Sequence, residues 1–262
     1  ASPALPRPGG AGRGGKRRAV AVVVRLAMWS GPRNISTAMM RSWENRPDSA
    51  VVDEPLYAHY LDVTGIDHPG RDEVVASGET DWRKAVESLL GPVPSGVDVL
   101  YQKHITTHLT DDVGTGWVTG LSNVLLIRDP REVVASYIKQ RPDVTVDDIG
   151  LRQQVRLYDE LAAAGVPPLV IESADFLRNP ESHLRGLCEH LGLDFTASML
   201  SWPPGARDSD GVWGRYWYDA VWASTGFADY RPRQVRLEGR AAEVAATSLP
   251  LYERLHDMRW RP

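Results

Sequence analysis

Residues 29–37, Trp-Ser-Gly-Pro-Arg-Asn-Ile-Ser-Thr, run from a β-branched apolar stretch into an amphipathic one. A turn that feeds a strand into a helix N-terminus aims several backbone N–H groups at one place, with the positive end of the helix dipole behind them. Arg33 adds a cation, and Ser36 and Thr37 add hydroxyls. Pro32, Arg33, Asn34, Ile35, Ser36 and Thr37 therefore form a candidate cradle for a phosphate or sulfate, although Ser36 is also a good helix cap. No Gly-Lys-[Ser/Thr] is present and Ile35 stands where a second glycine would, so the Lys and Mg²⁺ chemistry of nucleotide triphosphatases has weak support. Farther on, Arg128 follows the apolar run 124–127, at the end of a strand where open α/β sheets bind ligands. Ser136 lies about two turns into the following helix. An arginine fork and a serine hydroxyl can hold a second phosphate, unless Arg128 is consumed by Asp129 or another carboxylate.

Two residues are candidates for a general base: Glu54, in Asp53-Glu54-Pro55, and His104, in Lys103-His104-Ile105-Thr106. Adjacent strand residues point to opposite faces, so Lys103 and His104 can share a site only where their strand ends. His104 and His108 are four apart but lack the His-Glu-x-x-His frame, and Cys188 is the sole cysteine. No metal is expected. Cys188 shares an apolar helix face with Leu184, Leu187 and Leu191, and reads as core. His59 fits either an acceptor pocket or a solvent-facing helix.

These residues need a scaffold that alternates strand and helix. Strands are expected over 22–28, 50–53, 97–103, 124–127 and 169–171. Helices are expected over 36–44, 81–90, 131–140, 147–164 and 180–191. This succession implies an α/β three-layer sandwich with a mostly parallel sheet covered on both faces. Residues 202–236 break the rhythm with Trp213, Tyr216, Trp217, Tyr218 and Trp222 among glycines and charges. So long an irregular stretch suggests a lid or substrate loop.

The chain has 262 residues, 42% hydrophobic and 24% charged, the balance of a soluble globular domain. Residues 1–18 carry Arg7, Arg13, Lys16, Arg17 and Arg18 with no acid and much Gly and Pro. They read as a disordered basic arm ahead of one domain over 19–262, and without an apolar segment they do not read as a secretory leader. Removing those five charges from a net −4 leaves −9 on the rest, which argues against a nucleic-acid partner. The longest apolar run, 19–24, falls far short of the about 20 residues a bilayer requires. A cytoplasmic protein without a membrane partner is expected.

Taken together, the segments resemble the nucleotide-dependent sulfotransferases, bacterial members included, which take sulfuryl groups from 3′-phosphoadenosine 5′-phosphosulfate. Pro32-Arg33-Asn34-Ile35-Ser36-Thr37 resembles the family's 5′-phosphosulfate loop, and Arg128 with Ser136 eight residues later resembles its 3′-phosphate motif. Val170-Ile171-Glu172-Ser173-Ala174-Asp175-Phe176, then Asn179-Pro180-Glu181 and His190-Leu191-Gly192-Leu193, are similar to a third family segment. The resemblance implies a P-loop-type sheet and sulfuryl transfer, without metal, to a hydroxyl or amine of a small-molecule or carbohydrate acceptor. It implies leaving-group stabilisation by Arg33. Glu54-Pro55 is similar to carbohydrate-acting members whose glutamate is the base, and Lys103-His104 to the Lys-x-His of cytosolic members, less the intervening residue. Either can supply the base. Trp29 can pack on the adenine or in the core. The family's C-terminal Arg-Lys-Gly is absent, and 213–227 can replace it, with Arg215 or Arg231 on phosphate. A P-loop kinase or nucleotide hydrolase, and a non-catalytic nucleotide-binding module, are the alternatives.

Overall fold

A strand buried on both faces must be apolar along its length, and several short runs of this chain meet that requirement. In the computed structural model, which describes residues 23–262 apart from residue 233, they form β1 (Val24–Ser30), β2 (Ser49–Asp53), β3 (Val99–Ile105), β4 (Ser122–Ile127) and β5 (Leu169–Glu172). The basic arm expected over 1–18 lies outside the described residues. The five strands make one sheet in the order β2-β3-β1-β4-β5, every pair parallel.

Helix α1 (Ser36–Glu44) follows β1; α2 (Tyr57–Thr64), α3 (Arg71–Ser77) and α4 (Trp82–Leu90) lie between β2 and β3. Helices α5 (Pro130–Tyr137) and α6 (Leu151–Ala163) link β4 to β5. After β5 come α7 (Ser173–Arg178), α8 (Pro180–His190), α9 (Gly214–Trp217), α10 (Asp219–Trp222) and α11 (Gly239–Asp257). Met39, Met40 and Trp43 of α1 and Leu184, Leu187 and Cys188 of α8 cover one face of the sheet. Val133 and Val134 of α5, Leu157 and Leu161 of α6 and Leu255 of α11 cover the other. Among the described residues, no helix is long and apolar enough to cross a membrane.

Some boundaries differ from the sequence expectation. β1 runs on to Ser30 because Trp29 and Ser30 still pair with His104 and Ile105. The helix expected over 147–164 is a short turn, Asp147–Ile149, then α6, divided at Gly150 with φ 77°. Gly150 meets that left-handed turn without a Cβ penalty. The helix expected over 131–140 stops at Tyr137.

Strand alternation separates Lys103 from His104. Lys103 shares the α1 face with Tyr101, while His104 turns to the other face and stacks on Trp29, centroids 4.0 Å apart. His104 Nε2 lies 3.2 Å from Gln102 Oε1, and both ring systems are buried. Burial, aided by His108, pushes the His104 imidazole down to about 3. Such a group stays neutral in the fold but takes up a proton near pH 6.5 once unfolded, so stability falls as pH drops below that value. The loss is about 1.4 kcal/mol per pH unit while the folded group remains neutral. Urea unfolding from pH 6.5 to 5 should show a falling midpoint, and His104→Gln should reduce the slope whatever it does to absolute stability. His68, pushed down to about 4 by burial, preserves part of the slope in both proteins; Glu172, pushed up to about 7 by burial, opposes it in both. Equal slopes would refute the assignment to His104.

Candidate active site

The carboxyl ends of β1, β3 and β4 open on a cavity of about 380 Å³. One end of it begins at the turn after β1. Arg33 adopts φ 56°, a left-handed conformation that costs a non-glycine residue about 1–3 kcal/mol. Asn34 fastens the turn: its Nδ2 donates to Leu126 O (3.0 Å) and its Oδ1 accepts from Ile35 N (2.8 Å). The residue capping α1 is Ile35, which has no side-chain acceptor, so Ser36 is not the cap that its type suggests. Ser36, Thr37 and Ala38, the first turn of α1, line the cavity.

The second motif closes on the first. Arg33 Nε donates to Ser136 Oγ (3.0 Å), and Arg128 Nη1 donates to Arg33 O (2.7 Å). Arg128 pairs with Glu132, at 2.8 Å, while Asp129 caps α5 by accepting from Arg131 N at 2.8 Å. Burial and the nearby Arg128 charge lower the Arg33 pKa from its ordinary value. Two guanidinium groups are thus held together against their mutual repulsion, at an uncapped helix N-terminus, which is what an anion site requires.

The other end is built on Lys103. Parallel register sets Asp53 beside Lys103 on the same face, and Lys103 Nζ donates to Asp53 Oδ1 at 2.8 Å. Alternation would carry Glu54 away, but its φ of 42° brings the carboxylate back, and Lys103 Nζ donates to Glu54 Oε1 at 2.6 Å. Burial alone would drive the Lys103 ammonium down; Asp53 and Glu54 outweigh it and hold the pKa above its ordinary value. Burial pushes the Asp53 carboxyl up, and Lys103 pulls it back. Tyr218 OH accepts from Lys103 Nζ and from Trp213 Nε1 and donates to Asp53 Oδ2 (2.8 Å), which also accepts from Gly211 N. Glu54 Oε2 lies 4.0 Å from His108 Nε2. Tyr57, Tyr60 and Trp217 continue this wall.

Pro32, Arg33, Asn34, Ile35, Ser36, Thr37, Glu54, Lys103, Arg128 and Ser136 all line the one cavity. His104 does not, for the reason of strand alternation, so the structure leaves it no path to a reacting group. Trp29 is fully buried beside it, in the core. His59 is buried too, with Nδ1 2.8 Å from Thr80 O and Nε2 3.1 Å from Asp112, and lines neither a pocket end nor solvent. Arg215 pairs with Glu73 and Arg231 is exposed; neither lines the cavity. From 202–236 the residues that do so include Trp217, Tyr218, Val221 and Phe227. In the sequence Tyr218 stands out only as one of the aromatics of 202–236 and His108 only by its spacing from His104; their contacts with Lys103 and Glu54 join residues far apart in the chain.

The family of sulfotransferase domains matches residues 24–258. Branched-chain-amino-acid aminotransferase-like protein 1 of Arabidopsis thaliana is 38% identical over 226 residues, covering 86% of this chain and 40% of the relative. Its paralogue, protein 2, is 34% identical over 224 residues with the same coverage. The chain therefore spans about two-fifths of the length of these curated relatives, 40% of each. A sulfotransferase from Alicyclobacillus acidocaldarius has the same fold, with a TM-score of 0.51 at 12% identity over 92% of this chain and 98% of that one. The match over 24–258 takes in the loop after β1, the Lys103 cluster and the Arg128–Ser136 pair alike, and the chain belongs to the sulfotransferase-domain family.

Proposed function

We propose that the protein transfers a sulfuryl group from 3′-phosphoadenosine 5′-phosphosulfate to a hydroxyl of a small-molecule acceptor. The observation that carries this reading is the meeting of Arg33, Arg128 and Ser136 at the uncapped start of α1, in the same cavity as a carboxylate anchored on a buried lysine. The nucleotide supplies an activated sulfuryl group and a phosphate leaving group. The amides of Asn34, Ser36 and Thr37 and the Arg33 guanidinium hold the 5′ end, where negative charge grows on the leaving oxygen. Arg128 and Ser136 hold the 3′-phosphate, which competes with Glu132 for the Arg128 guanidinium.

Glu54 is the general base. Its Oε1 is fixed by Lys103, which leaves Oε2 as the oxygen to take the acceptor proton. The acceptor oxygen forms the new S–O bond as the bond from sulfur to the phosphate oxygen breaks. Lys103 holds Glu54 in place and keeps one cation close to the transferring oxygens. Asp53 and Tyr218 hold Lys103.

Two experiments test the two ends separately. Calorimetry should show 3′-phosphoadenosine 5′-phosphate binding well above adenosine 5′-phosphate, and Arg128→Ala should reduce the first far more than the second. The loss expected for a charged contact is roughly tenfold to a hundredfold. Equal losses would remove Arg128 from the 3′-phosphate, and a preference for ATP with Mg²⁺ would favour a P-loop kinase or hydrolase instead. At the other end, Glu54→Gln should lower kcat by about 10²–10⁴ with nucleotide affinity nearly unchanged. Full activity in that variant would overturn Glu54 as base and turn attention to His108.

A further inference from the structure

Two buried side-chain polar atoms of residues lining the cavity have no hydrogen-bond partner among the described residues: Arg141 Nη1 and His108 Nδ1. A buried guanidinium N–H without an acceptor costs free energy that a bound ligand can recover. Arg141 follows α5, its amide bonded to Tyr137 O at 3.0 Å, and its charge acts on Tyr57, Tyr60, His68 and Tyr137. Asp148 also lines the cavity, with its Oδ2 accepting from Thr145 N (2.8 Å) and Oγ1 (2.7 Å), and among the described residues it forms no ion pair with Arg141. Glu54, Tyr57 and Arg141 all line this cavity.

The wall between them has a definite character. His108 packs against both Tyr57 and Tyr60, with centroids 4.7 and 4.8 Å away, while the two tyrosine rings lie 6.5 Å apart, so the three rings form a triangle rather than a stack. The three rings together make one aromatic wall of the cavity, which suits a small ligand with an apolar body. Burial holds the His108 imidazole well below its ordinary pKa, so it stays neutral and hydrogen-bonds a hydroxyl without adding charge.

We propose that the acceptor is a small hydroxy acid whose carboxylate pairs with Arg141 while its hydroxyl lies at Glu54 Oε2 and His108. This rests on the sulfuryl-transfer reading for the hydroxyl, and on Arg141 alone for the carboxylate. The acceptor hydroxyl oxygen bonds to sulfur, its proton passes to Glu54, the sulfur–phosphate oxygen bond breaks, and the carboxylate takes no part in the chemistry.

The test uses 4-hydroxyphenylacetate and 3-hydroxybutyrate, each with its primary amide, titrated calorimetrically into protein saturated with 3′-phosphoadenosine 5′-phosphate. At least one acid should bind roughly thirtyfold more tightly than its amide, the preference that a charge-assisted pair supports. Arg141→Gln should erase that preference and Arg141→Lys should keep part of it, with thermal unfolding and nucleotide affinity of both variants close to wild type. Acid and amide binding alike, no binding by either acid, or a preference that survives Arg141→Gln would each overturn the proposal. Should the nucleotide itself fail to bind, the sulfuryl-transfer reading falls separately. The acid and amide are then compared on the free protein, where the Arg141 pairing stands or falls by the same criterion.

Discussion

One buried ammonium organises this site. Lys103 has 1% of its surface exposed, and a lone charge at that depth would carry a desolvation cost of several kcal/mol. The fold answers with partners from three separate places. Asp53 comes from the neighbouring strand by register, Glu54 from the turn that ends that strand, and Tyr218 from a segment more than a hundred residues later. Removing any of them leaves the others poorly compensated, so β2, β3 and the stretch around α9 and α10 are fastened at a single point. The carboxylate best placed for proton transfer is thereby held by the same contact that holds the fold together.

The anion end depends on close backbone approach rather than on a buried charge. A Cβ on Gly31 would sit 2.5 Å from Ile149 O, so only glycine lets the chain after β1 lie against the turn before α6. Thr106 Oγ1 donates to Ser30 O (3.3 Å) and Gly150 O (3.1 Å), binding β1, β3 and that turn into one support. On this support the cradle loop can hold the left-handed backbone of Arg33.

Much of this was legible in the sequence where the chemistry is local. The loop after β1, the spacing from Arg128 to Ser136 and the alternation of strand and helix are all written over short stretches, and α1 occupies the residues expected. The direct bond from Arg33 to Ser136 was not legible, since it joins residues 103 apart. Nor was Glu54's orientation, because strand alternation predicts the opposite face until the left-handed φ is known. His104 and His108 illustrate the limit. Alternation argued against Lys103 and His104 sharing a face, but nothing in the sequence placed His108 against Tyr57 and Tyr60, which belong to α2, some fifty residues earlier in the chain.

Among the described non-glycine residues, only Arg33 and Glu54 have positive φ, and both line the cavity. Each such conformation costs about 1–3 kcal/mol and persists only where surrounding contacts over-determine it. At Arg33 those contacts are Arg128 on its carbonyl and Ser136 on its side chain; at Glu54 they are Lys103 on its carboxylate and Lys103 O on its amide, at 2.9 Å. In both cases the contact that stabilises the strained backbone involves a residue of the candidate binding or catalytic machinery. A substitution at Arg128 therefore removes a charge and the bond to the Arg33 carbonyl, whereas one at Lys103 removes a charge and the anchor of the Glu54 carboxylate but leaves the bond from Glu54 N to Lys103 O. This coupling explains how short turns at two strand ends can present a guanidinium and a carboxylate across one cavity without a rigid helix or strand beneath either.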